Sequence, residues 1–182
     1  MEDLRLETDR LIIRNWRESD IEPYAELSAD PEVMTYIGDG TPRDWEYART
    51  FVDQMMTLYE ERGWIRFAIE HKESGDFMGF CGYELVDGVL DYGWRYARKY
   101  WGGGYGSEAA IAVLELGRNR YGLKNIQSQS YPENVGSVRI MEKMGMSFLR
   151  DSAENGRRVV HYGFPDEAAA AEEQGSEERG TV

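Results

Sequence analysis

Between Trp64 and Tyr96, apolar and polar residues alternate in three runs, 64–70, 77–85 and 89–96. Only Lys72-Glu-Ser-Gly75-Asp and Asp87-Gly88 separate them. A period of two marks strands with one face on a core, and turns this short join antiparallel neighbours. The middle of the chain is therefore a three-stranded meander, which excludes a repeated strand–helix–strand fold. The third strand runs into Trp101-Gly-Gly-Gly-Tyr-Gly106, and a helix with Ala109, Ala110, Val113, Leu114 and Leu116 on one side follows at once.

The flanks complete an α+β pattern. Residues 4–16 read as one strand with a turn or bulge in its middle. Ser19 reads as the N-cap of a helix ending before Asp30-Pro31, and a short helix covers 32–36. Thr41-Pro42 reads as the start of a long helix reaching Arg62, with Trp45, Ala48, Phe51, Val52, Met55, Leu58 and Tyr59 as a core stripe. After the glycine segment come a strand at 125–131, a helix at 134–144 and a closing hairpin at 148–164 turning at Asn155-Gly156. This predicts a single mixed, mostly antiparallel sheet of about seven strands flanked by about four helices.

The chain has 182 residues, enough for one domain, expected over 1–164. Residues 165–182 carry six acids, one Arg and little to bury, so they read as an acidic disordered tail. Thirty-four acids against 21 bases leave a net charge of −13, which argues against a nucleic-acid partner, whose affinity rests on neutralising phosphates. The one cysteine, Cys81, has no partner for an internal disulfide and reads as a buried thiol. No Cys/His spacing suits a metal, no apolar stretch suits a membrane, and the acidic start is no signal peptide. The expected location is cytoplasmic.

Glycines let a ligand approach the backbone, and a helix start directs N–H groups at an anion, so the segment 101–107 reads as a pyrophosphate site. Gly104-Tyr-Gly106-Ser-Glu-Ala109 formally fits the dinucleotide fingerprint. The context speaks against that ligand. The segment follows a meander, and Lys124 and Asn125 stand where an acidic residue should bind the ribose.

The residues Tyr100 to Ala109 match the pattern Y-W-G-x-G-Y-[AG]-[ST]-E-A throughout. By this the chain resembles the GNAT acetyltransferase superfamily, and within it the branch that acetylates ribosomal-protein N-termini. The general loop pattern of the superfamily, [QR]-x-x-G-x-[GA], is met except that Trp101 stands first. Leu6-Glu-Thr-Asp-Arg-Leu-Ile-Ile-Arg14, Asp30-Pro-Glu-Val-Met-Thr-Tyr36 and Asn134-x-x-Ser137 with Lys143-Met-Gly145-Met146 extend the similarity over about 4–150 in the order of the branch.

The resemblance implies an acetyl-CoA-dependent N-acetyltransferase that uses no metal. Its sheet would splay open between the fourth and fifth strands, here 89–96 and 125–131. Backbone groups near Trp94, Arg95 and Tyr96 would pair with the pantetheine arm. Trp101, Gly102, Gly103, Gly104, Tyr105, Gly106 and Ser107 would hold the pyrophosphate. Asn134 would bind the arm, with Ser137 to Lys143 near the adenosine end.

A neutral amine attacking a thioester needs proton removal, an oxyanion donor and an acid for the thiolate. The Trp94 amide is the implied donor. Met141 stands where many relatives carry the tyrosine acid; in the ribosomal branch the Ser of N-x-x-S can take that role, and the resemblance thus makes Ser137 the candidate acid. Asp91 and Glu84 are the two candidate bases. Tyr36 and His161 fall where relatives contact the acceptor. The acceptor implied is a primary amine, either a protein N-terminus or a small amine such as an amino sugar or polyamine. A non-catalytic acyl-CoA sensor is the rival. A homodimer is compatible with the edge strands.

Overall fold

A computed structural model describes residues 3–164, so the expected tail over 165–182 lies outside the described residues. The sheet has eight strands in the order β1-β2-β3-β4-β5-β6-β8-β7. The extra strand comes from the N-terminal stretch, which folds as a hairpin of β1 (Arg5–Glu7) and β2 (Leu11–Arg14) in place of one bent strand. Thr8 makes the turn: its N–H donates to Leu11 O at 3.0 Å and its Oγ1 donates to Glu108 at 2.6 Å.

Five α-helices form, one for each helical segment read from the sequence: α1 (Ile21–Ala29), α2 (Pro31–Met34), α3 (Trp45–Arg62), α4 (Tyr105–Tyr121) and α5 (Val135–Lys143). Two of the expected caps move. A 3-10 turn at Glu18–Asp20 precedes α1, and Ser19 caps nothing; Asp20 turns inward to Arg14 instead. Helix α3 begins after Asp44, whose Oδ1 accepts from Tyr47 N at 2.9 Å, so Thr41-Pro42 lies in the preceding loop. Trp45, at the first turn, is 48% exposed and leaves the core stripe to Ala48, Val52, Met55 and Tyr59.

The meander is β3 (Arg66–His71), β4 (Phe77–Val86) and β5 (Val89–Tyr96), all antiparallel. One face of it carries Arg66, Phe80, Glu84, Asp91 and Arg95. Tyr24 of α1 and Phe51 of α3 pack against Phe80 there. The opposite face carries Cys81, Tyr83, Tyr92 and Trp94. Tyr83 Oη donates to Val113 O at 2.9 Å and Tyr92 Oη to Ala110 O at 2.6 Å, which seats α4 on that face. Gly117 makes room, since a Cβ there would run into the Tyr83 ring. Burial among these rings pushes the Cys81 thiol up to about 12, the state of an inert core residue. Among the described residues no helix is long and apolar enough to cross a membrane.

Beyond α4 the chain crosses to β6 (Ile126–Ser130), parallel to β5, and then forms the hairpin of β7 (Ser147–Glu154) and β8 (Arg157–Gly163). Strands β5 and β6 pair only at Leu90/Ile126 and Asp91/Gln127. Past Asp91 they diverge, and the sheet opens.

Candidate active site

The opening between β5 and β6 is a cleft whose walls include Asp91, Trp94, Arg95, Ser128, Asn134 and Ser137. Which β5 backbone groups face it follows from register. Ala97 N–H donates to Met78 O at 2.9 Å, and antiparallel pairs alternate between bonded and non-bonded. Gly93 and Arg95 therefore spend their backbone groups on β4, and Trp94 and Tyr96 turn theirs to the cleft; Tyr92 turns the same way, but the Asp91/Gln127 pairing takes its N–H and leaves its carbonyl. Two contacts agree: Tyr83, opposite Tyr92, donates its N–H away to Ile65 O at 3.0 Å, and the Trp101 indole reaches Tyr96 O at 2.8 Å.

This corrects the expectation for Arg95, whose backbone is paired within the sheet; only its side chain enters the cleft. Tyr96 keeps its N–H for the cleft, while its carbonyl is already taken by Trp101.

Gly102 and Gly104 have φ of 75° and 80°, in the left-handed region that favours glycine. Gly104 is the N-cap of α4, so the amides over 104–107 are the donors that a helix start leaves without intrahelical acceptors. Gly106 lets α5 close in: a Cβ there would stand 2.9 Å from Ile140 Cδ1. Trp101 is 51% exposed beside this loop.

Two residues that sequence reasoning missed hold the loop. Glu108 accepts from Thr8 Oγ1 and from Arg10 N (3.0 Å) and Nε (2.7 Å). Arg10 donates to Gly103 O at 2.9 Å and lies 4.2 Å from the Tyr105 ring centroid. Burial would raise the Glu108 carboxyl, but the bonds from Thr8 and Arg10 outweigh it and hold the group below its ordinary value.

On the α5 side, Asn134 Oδ1 caps the helix by accepting Ser137 N–H at 3.3 Å. The Trp94 indole donates to Ser137 Oγ at 3.3 Å, bridging β5 to α5. With one lone pair so engaged, the Ser137 hydroxyl can still donate its proton. Met141, one turn on, is fully buried.

The two candidate bases share one cation. Arg66 Nη1 is 2.8 Å from Glu84 Oε2, and Arg66 Nη2 is 2.9 Å from Asp91 Oδ2. Sequence reasoning also missed Arg66, although it falls in phase with the inward-facing Ala68. Asp91 lines the cleft; burial raises its carboxyl above the ordinary value despite the pull of Arg66. Glu84 is not among the wall residues.

Tyr36 stands at the mouth with Tyr131, ring centroids 6.3 Å apart, and the Arg157 guanidinium lies 3.8 Å from the Tyr131 centroid. Asn155 Nδ2 donates to Gly38 O at 3.3 Å, fastening the β7–β8 turn to the loop after α2. His161 does not reach this cleft. It is buried on β8 with its Nε2 2.7 Å from Ser152 Oγ. Lys143 closes α5 and is exposed outside the cleft. Among the described residues no cluster of His, Cys, Asp and Glu could hold a metal ion.

Residues 10–147 match the acetyltransferase (GNAT) domain family. An uncharacterized N-acetyltransferase p20 of Bacillus licheniformis is 29% identical over 166 residues, spanning 87% of this chain and 93% of that one. A GNAT-family acetyltransferase from Bacillus anthracis superposes with a TM-score of 0.76 at 28% identity, covering 87% of this chain and 96% of that one. The ribosomal L7/L12 α-N-protein acetyltransferase RimL, in complex with coenzyme A, shares the fold (TM-score 0.71). It is 15% identical, with 88% and 96% covered.

Proposed function

The chain belongs to the GNAT acetyltransferase family, and from that premise we propose that it moves an acetyl group from acetyl-CoA directly to a primary amine in the β5–β6 cleft. The observation that carries this is the divergence of β5 from β6 after Asp91. It leaves a row of backbone donors and acceptors facing a gap whose two sides hold the Trp94 amide and the Ser137 hydroxyl. Binding of coenzyme A by RimL, a fold neighbour, supports the same use of the gap.

The roles follow from chemistry. The amides over 104–107 receive the pyrophosphate of acetyl-CoA. The carbonyls of Tyr92 and Trp94, with the Tyr96 N–H, pair with its amide-bearing arm, and Asn134 adds its Nδ2. The Trp94 N–H stabilises the oxyanion, acting where charge develops. Asp91 takes the ammonium proton, directly or through water, and its raised proton affinity suits that task. Ser137 Oγ–H protonates the departing thiolate. A protein N-terminus is the first acceptor class and a small amine the second. An α-amine, with a pKa near 8, needs less help from a base than a lysine side chain near 10.4.

A thermal shift with acetyl-CoA, with NAD as control, tests the donor site. At 100 times Kd a ligand adds about 2.7 kcal/mol, a rise of roughly 5–10 °C for a chain of this size. Coenzyme A release against an amine panel then tests turnover, and Ser137→Ala should lose most of kcat while still binding acetyl-CoA. Binding without acetylation of any amine would favour a sensor and overturn the catalytic assignment.

A further inference from the structure

The wall of the cleft on the α1 side holds a cation that the proposed chemistry does not use. Arg95 is 8% exposed and lines the cleft. Its Nη1 donates to Tyr24 Oη at 3.0 Å, and its buried Nε has no hydrogen-bond partner. Among the described residues its only other neighbours of note are aromatic rings, Phe80 at 5.4 Å and Tyr24 at 5.9 Å from the guanidinium carbon. Those distances are near the outer limit of a useful cation–π contact. A guanidinium this deep is costly unless a carboxylate or its equivalent meets it. Arg66, across the same Phe80 ring at 5.6 Å, has two carboxylates; Arg95 has none.

Placement along β5 gives the partner a geometry. Asp91, Gly93 and Arg95 occupy successive positions on the face that α1 covers, because Glu84, Gly82 and Phe80 stand opposite them in register. Gly93 leaves the floor between the two charges open; a Cβ there would already touch Arg66 Nη2 at 3.4 Å and Asp91 Oδ2 at 3.5 Å. A cleft with a carboxylate at one end and an orphan guanidinium at the other complements a molecule charged in the opposite sense. The two Cα atoms are four residues apart on a strand, about 13 Å, which long side chains shorten but do not abolish.

We infer that the acceptor carries a carboxylate several bonds from its primary amine, and that Arg95 binds this carboxylate while Asp91 faces the amine. This rests on the acetyltransferase reading above and narrows its acceptor class. The protein's net charge of −13 attracts the amine from a distance, so the local guanidinium is what admits the anionic end. An ω-amino acid, a dipeptide with a free carboxylate, and a protein N-terminus with Asp or Glu shortly after it all present this chemistry.

Matched pairs separate the sources. 4-Aminobutyrate against 4-aminobutyramide tests the small ω-amino acid, a dipeptide against its amide tests the free peptide carboxylate, and C-terminally amidated peptides with Glu or Gln third test the protein N-terminus. In the wild type at least one pair should favour the acid at least tenfold in kcat/KM. Arg95→Gln should cut that preference to about twofold, through the KM of the acid, with acetyl-CoA binding and its thermal shift unchanged. Arg95→Lys should keep part of the preference, which guards against a purely structural loss. Turnover of amides as good as that of acids in every pair, or a preference that survives Arg95→Gln, would overturn the assignment. Failure to release coenzyme A with any acceptor, despite intact acetyl-CoA binding, would instead sink the acetyltransferase reading and this inference with it.

Discussion

Asp91 Oδ2 and Arg66 Nη2 lie 2.9 Å apart at the floor of the cleft, and the same guanidinium holds Glu84 on its other arm. One cation thus restrains both carboxylates that could act as base, while only Asp91 faces the gap. Asp91→Asn should lower kcat/KM by about 10²–10⁴-fold, the usual contribution of a general base. Glu84→Gln should cost far less. Arg66→Met removes a charge that lowers the Asp91 pKa, so the acid limb of the kcat/KM profile should move to higher pH. A limb that stays in place in Arg66→Met would remove Asp91 from the proton path.

Gly104 ends the loop with φ of 80°, where a Cβ adds strain of about 1–2 kcal/mol. Gly104→Ala should lower the melting temperature by a few degrees and weaken acetyl-CoA at least tenfold, because relief of the strain turns the amides over 104–107 off their target. Isothermal titration with acetyl-CoA reads this directly. Unchanged affinity would mean that those amides do not hold the donor.

Arg14, buried with Asp20, donates to both of its carboxylate oxygens at 2.8 Å, and its Nε reaches the half-buried Glu70 at 2.7 Å. Burial lowers the guanidinium's proton affinity, yet the bonds to Asp20 and Glu70 raise it overall. Asp20→Ala leaves that cation half-partnered and should cost about 3–5 kcal/mol in urea unfolding. A loss under 1 kcal/mol would show that water replaces the carboxylate.

His161 is held below its ordinary pKa by burial and then by Arg150. The folded chain therefore refuses a proton that the unfolded chain accepts. Stability should be full above pH 6.5 and fall as pH drops from there through the lower folded value. His161→Gln should flatten this part of the stability profile. If both proteins lose stability equally between pH 7 and 5, the histidine is not the group responsible.

The meander was legible because its turns are local: Asp87 and Gly88 adopt φ of 49° and 80°, the left-handed pair that an Asp-Gly hairpin turn calls for. The glycine loop was legible for the same reason, as spacing within ten residues carries it. The N-terminal hairpin was not, since its turn at Thr8 is held by Glu108, a hundred positions away. The cap expected at Ser19 was misplaced because Asp20 turns inward to Arg14, a tertiary contact that no local pattern carries. His161 lies in the closing hairpin, but its contact with Ser152 joins two strands across a register shift between Phe148 and Arg150 that no pattern of residue types announces. Arg66 and Arg95 carried one faint signal, a charged residue in phase with a buried apolar neighbour. That signal says a charge is buried and is silent about what meets it.

Because β5 and β6 share only two paired positions, the eight strands are two smaller sheets joined at one corner, five strands on one side and three on the other. Along β5 this gives neighbouring amides opposite fates. Gly93 and Arg95 are locked to β4, while Trp94 and Tyr96 turn to the gap. A molecule lying along that edge would serve as the missing strand, and occupancy would be written into the backbone as the loss of an every-other-residue rhythm in amide exchange.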